Sequence, residues 1–191
     1  FLGQLMVTMF LFYSGYGIYE SIKKNKGKYV KKMPVNRILI CLFNFDIAVL
    51  TYLIISYIVG KKYSLIYILF SLIGWKTVGN SNWYIFSILF MYLFTYLSFM
   101  IFKNNYKKAL IINVIFISLF GFILAYLLPN EPWWYNTLFC YPMGLIYSYN
   151  KDKIEKILYN NKHYYLTMIC ILIIFGVLYY YVRHIHWLLY S

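Results

Sequence analysis

The sequence predicts an all-α fold: a polytopic transmembrane helix bundle of about six spanning helices plus one short re-entrant or interfacial segment. Three observations carry that prediction: the composition, the length of the uncharged runs, and where the basic residues fall. Of the 191 residues, 63% are apolar and 12% charged, against about 45–50% and about 25% in soluble domains. The mean hydropathy is +0.64. Disorder is excluded, because it needs low hydrophobicity and high charge. A soluble globule is disfavoured, because so few charges leave most of its surface apolar.

A helix needs about 20 mostly apolar residues to cross the hydrocarbon core. Taken in chain order, Phe1–Tyr19 carries no charge and Ile38–Val59 carries one, Asp46. Tyr63–Trp75, with 13 uncharged residues, is short for a crossing and is expected to be the interfacial or re-entrant piece. Trp83–Phe102, Ala109–Leu128 and Tyr164–Val182 are uncharged. Pro132–Asn150 is uncharged but broken by Pro142, so it would span as a kinked helix. No repeat or linker divides the chain, and residues 1–191 are expected to form a single transmembrane domain.

The net charge is +13. On a soluble protein that would suggest a nucleic-acid partner. Here the basic residues lie between apolar runs, so orientation in a bilayer is the simpler account and nucleic acid is not expected. With six spans, one side receives 14 basic residues (Lys23–Arg37, Lys103–Lys108 and Lys151–Lys162) and the other receives 4, namely Lys61, Lys62, Lys76 and Arg183. If Tyr63–Trp75 also crossed, the division would be 9 against 9. The positive-inside rule therefore favours six spans, with residue 1 outside, the 14-basic face cytoplasmic, and the protein multi-pass in the cell membrane. Trp75, Trp83, Trp133, Trp134 and Trp187 then all fall on the outer side, as an interfacial belt would.

Few side chains in the chain carry chemistry. Cys41, Cys140 and Cys170 lie within spans without a CxxC and read as small packing residues. His184 and His186 are two apart, which does not place them on one helix face, and no ligand set surrounds them or His163; no metal is expected. Asp46, with Asn44 nearby, is either functional or half of a structural polar pair. The run Lys23–Arg37 reads as a solvated loop facing anionic headgroups. Arg37, at the entry of the second span, differs from the lysines because its planar fork suits bidentate phosphate binding. Ser14-Gly15-Tyr16-Gly17 interrupts the first span. Its glycines permit close approach of either a helix or a ligand.

Four stretches resemble the acyltransferase-3 family of integral membrane acyltransferases. Phe10-Leu11-Phe12-Tyr13-Ser14-Gly15-Tyr16-Gly17 is similar to the family's aromatic-rich second helix. Tyr29-Val30-Lys31-Lys32-Met33-Pro34-Val35-Asn36-Arg37-Ile38 resembles the basic connector before its third helix. Gly79–Phe86, followed by Tyr92, resembles a helix start, and Asn136–Gly144 resembles a helix that leads into a charged connector. The resemblance implies an O-acyltransferase moving acetyl from acetyl-CoA, a donor substrate rather than a bound cofactor, to a hydroxyl of a cell-surface or exported glycan. It implies membrane lipids, the acyl-CoA donor and the glycan acceptor as partners. Arg37 would hold donor phosphates, and Ser14, Gly15, Tyr16 and Trp83 would line the acceptor or acyl pocket. The family's histidine base, in its first helix, has no match here, and residue 1 aligns after that helix. The chain is expected to be a piece cut at both ends and inactive alone, with its catalytic residue unknown. A lipid-linked sugar flippase or other transporter is the alternative, opposed by the single intramembrane acid and the absence of repeats. A non-catalytic scaffold is a third reading.

Overall fold

The computed structural model describes residues 2–25, 27–103, 105–127, 131–159, 164–170, 172–174, 176–177 and 180. Those residues are helical or irregular, with no strand among them. The chain divides into two compact units, Phe1–Tyr149 and Asn150–Ser191. The first unit contains α1 (Leu2–Asn25), α2 (Gly27–Met33), a π-helical turn at Pro34–Leu39, α3 (Ile40–Ile58), α4 (Leu65–Leu72), α5 (Trp83–Ile101) and α6 (Tyr106–Phe122). A second π turn, Ile123–Leu127, follows α6, and a 3₁₀ turn at Pro132–Trp134 precedes α7 (Cys140–Tyr159). Helix α7 begins in the first unit and ends in the second.

Three helical stretches are long and apolar enough to cross a membrane: Gly27–Ile58, Trp83–Ile101 and Tyr106–Tyr126. Helix α1 is 24 residues long, but its glycines, tyrosines and terminal lysines dilute its apolar character. Of the expected span Tyr164–Val182, residues 164–170, 172–174, 176–177 and 180 are described, and all of them are helical. Helix α4 has eight residues, about 12 Å of rise, far short of the ~30 Å hydrocarbon core. Ser64 caps it by accepting a hydrogen bond from Tyr67 N at 3.3 Å.

Two local expectations are corrected. The basic run Lys23–Arg37 is not a loop: α1 continues to Asn25, and Gly27–Met33 is helical. Lysine is a good helix former, so charge ends the apolar run without ending the helix. Pro142 does not kink a span, because it is the third residue of α7. There its missing N–H is one of the orphan donors of a first turn.

Polarity is distributed inside out. Phe43, Ile54, Tyr57 and Ile58 on α3 are exposed at 67%, 62%, 74% and 77%. Ser87, Thr95, Ser98, Asn113 and Ser148 are buried. Water would reverse that arrangement, whereas lipid tails favour it. Helix α5 lies at the centre. Its Phe86, Ile88, Met91, Tyr92 and Phe99 join Leu11, Ile18, Tyr19 and Ile22 of α1 and Ile117 and Phe120 of α6 in one core. A smaller core of Phe45, Val49 and Val78 lies under α4.

The crossing of α1 and α7 is built on glycine. A Cβ added to Gly15 would overlap the carbonyl of Tyr141, and one added to Gly144 would overlap the carbonyl of Phe12. Each glycine thus admits the other helix's backbone, which is the close-approach packing that small residues permit in membranes.

Candidate functional site

Pro34 shapes the basic end of the bundle. It cannot donate to the carbonyl of Val30, and its ring crowds that carbonyl. The helix widens into a π turn at Pro34 and resumes as α3 at Ile40. Such turns are frequent at functional sites. Arg37 lies within this one. Tyr29 and Arg37, eight residues apart, would be offset by about 80° on a regular α-helix, and the wider winding reduces that offset. Arg37 Nε donates to Tyr29 Oη at 2.9 Å.

The guanidinium is half-buried and has no carboxylate partner: the ion pairs among the described residues are Lys23–Glu20 and Lys151–Glu155. Its Nε is engaged, and its terminal amines make no hydrogen bond among the described residues. A fork with unengaged donors is the arrangement that takes a phosphate or carboxylate in bidentate fashion. Arg37 also lies within electrostatic range of Tyr92 on α5 and Tyr141 on α7. Tyr29 links it to a cavity of about 470 Å³, lined by Tyr29, Lys28, Lys31, Lys32, Asn25 and Asn36. Four cationic side chains from one 10-residue stretch therefore cluster around a single tyrosine.

Deeper in the bundle a polar network joins four helices. Ser14 Oγ of α1 and Tyr92 Oη of α5 lie 2.8 Å apart. Thr95 Oγ1 donates to the Met91 carbonyl at 2.8 Å. A hydroxyl has one proton, so Tyr141 Oη must be the donor across its 2.9 Å bond to Thr95. Asn113 Nδ2 of α6 donates to the same oxygen at 3.1 Å. Thr95 thus donates once and accepts twice. Nearer the basic end, Glu20 Oε1 accepts from Ser148 Oγ at 2.6 Å, and Lys23 Nζ donates to the Ser148 carbonyl at 2.5 Å.

The residues singled out from sequence scatter among these features. Ser14 enters the polar network. Gly15 sits in the crossing with α7, against backbone. Tyr16 places its ring 6.1 Å from that of Tyr147. Trp83 is the first residue of α5, its ring 6.3 Å from Tyr84. It stands nine residues from Tyr92, about 14 Å along the axis, so Trp83 is not gathered with Ser14 and Arg37. Asp46 forms no pair with Asn44, which is exposed, and its Oδ1 is buried without a hydrogen-bond partner. Cys41 and Cys140 are half-buried and free, and Cys170 is exposed. Among the described residues no cluster of three or more potential metal ligands occurs. His163, His184 and His186 lie outside the described residues.

Sequence reasoning missed Tyr29, Thr95, Asn113 and Tyr141. Asn113 carried a signal, since an amide inside an otherwise apolar run needs a partner. Tyr29 opens the stretch that resembles the family's connector, but nothing in it pairs Tyr29 with Arg37, because their meeting depends on the π turn. Comparison of the chain with protein-family models, curated proteins and solved structures finds no match.

Proposed function

We propose that the protein is a membrane-bound O-acyltransferase that uses acetyl-CoA and acts on a glycan hydroxyl. The observation that supports this reading is the guanidinium of Arg37, held by Tyr29 through Nε and unpaired at its fork, beside a cavity lined by Lys28, Lys31 and Lys32. CoA is an anionic donor, and charge-assisted bonds from Arg to phosphate are the strong class of hydrogen bond. In this reading the six-span topology holds, the basic end faces the cytoplasm, where CoA is, and the protein is multi-pass in the cell membrane. The acetyl group enters toward Ser14 and Tyr16, with Gly15 allowing α1 to lie close to α7, and Trp83 stands at the glycan side.

The transfer breaks the thioester C–S bond and forms an ester C–O bond. The hydroxyl proton leaves to a general base and ends on the CoA thiolate. No residue of this chain is assigned that base. What the chain's own residues do is bind and orient the donor.

The test is acetyl-CoA binding to the purified protein in nanodiscs. Arg37→Ala is expected to weaken binding at least about tenfold, the low end for a charged hydrogen bond. Arg37→Lys should recover part of the loss, because it restores charge without the fork. Unchanged affinity in Arg37→Ala would remove the assigned role.

A further inference from the structure

A second cavity, of about 240 Å³, opens at the basic end between α1, α2 and the C-terminus of α5. Its floor is oily: Ile22, Val30 and Phe99 are 1%, 4% and 2% exposed. Its rim carries Lys31 from α2 and Lys103 from the turn after α5, both exposed and neither in an ion pair among the described residues. Elements far apart in sequence thus bring two unneutralised ammonium groups to the mouth of an apolar hollow. The chemistry that matches is an amphiphilic anion. Typical small-molecule pockets are about 300–1,000 Å³, so this one is small for a nucleotide donor and suits a headgroup. Ile101, two residues before Lys103, is 62% exposed, so apolar surface for acyl chains adjoins the rim. Basic pockets between membrane helices on the positive side are where anionic headgroups bind.

We infer that this cavity is a binding site for an anionic phospholipid, its phosphate between Lys31 and Lys103 and its glycerol end over Ile22, Val30 and Phe99. The site shares Lys31 with the cavity beside Arg37 but is set apart by Lys103, Ile22 and Phe99, none of which lines that cavity.

The experiment is native mass spectrometry of the whole protein from nanodiscs of phosphatidylcholine with phosphatidylglycerol, counting retained anionic lipid. Wild type is expected to retain phosphatidylglycerol over phosphatidylcholine. At about fivefold per lysine, Lys31→Gln with Lys103→Gln should cut retention about 25-fold, with the melting temperature unchanged. Lys107→Gln with Lys108→Gln, which removes two nearby charges that do not line the cavity, should leave retention within about twofold. Gly27→Leu keeps every charge and adds a side chain where a Cβ meets nothing within 4 Å. It should weaken retention by filling the hollow. Equal losses in both lysine pairs would mean diffuse surface attraction and overturn the site. So would retention unaffected by Gly27→Leu. Displacement of the lipid by millimolar inorganic phosphate would make it a free-phosphate site and overturn the lipid assignment.

Discussion

Two polar regions of this bundle are finished in opposite ways. At the centre of α5 every proton of the Thr95 hydroxyl and both its acceptor sites are used inside the protein, by Met91, Tyr141 and Asn113. At the Pro34 π turn the Arg37 guanidinium engages Tyr29 through Nε and leaves its fork open. The network closes at Thr95, which ties α5 to α6 and α7, while the Asn113 Oδ1 beside it is buried without a hydrogen-bond partner among the described residues. The open one is half-buried and is joined through Tyr29 to a cavity lined by Lys28, Lys31 and Lys32, and an anion would complete it. On the proposed reading, the contrast separates polar groups that build this fold from polar groups that bind the donor.

The largest expected effect comes from the frame that holds both regions. Gly144→Leu drives a side chain into the backbone of α1 at Phe12, and backbone cannot swing aside. We expect a loss of about 3 kcal/mol, at the upper end of overpacking costs, read as a fall in melting temperature in detergent. Gly15→Leu should behave alike from the other side. A wild-type melt in either variant would mean the two helices do not cross there.

Thr95→Val sharpens the comparison. It removes the acceptor for Tyr141 and Asn113 while keeping the shape. The expected cost is about 1–2 kcal/mol, the upper range for interhelical hydrogen bonds in membranes. Ser14→Ala, which breaks one bond between α1 and α5, should cost about 0.6 kcal/mol, the average for such bonds. Similar in size but opposite in sign is Gly17→Ala: a Cβ there meets nothing within 4 Å, and we expect a gain of about 0.5–1 kcal/mol from helix propensity. Gly15 and Gly17 sit two residues apart in one motif, so opposite signs at the two positions would show that only one serves the crossing.

Much of the fold was legible because membranes impose a length rule. The uncharged runs Trp83–Phe102 and Ala109–Leu128 match α5 and the α6 stretch to within a few residues, since lipid tolerates no charge there. Tyr63–Trp75 was legible as too short. What escaped was where helices continue past the apolar run: the lysines from Lys23 to Lys32 end hydrophobicity but favour helix, so α2 was hidden. The candidate site was half legible. Arg37 stood out because a lone arginine at a span entry has few bland uses. Its partner Tyr29 did not, because their meeting depends on the turn that Pro34 widens. The Thr95 hub joins residues 18 and 46 positions apart, and no local pattern encodes such pairings.

The most direct measurement is a paired one on Arg37→Ala and Thr95→Val: acetyl-CoA affinity by titration calorimetry, and melting temperature, for each. We expect Arg37→Ala to lose at least about tenfold in affinity with its melting temperature kept, and Thr95→Val to lose melting temperature with its affinity kept. Arg37→Ala that binds acetyl-CoA as wild type but melts early would contradict the account, because the open guanidinium would then be one more strut of the fold.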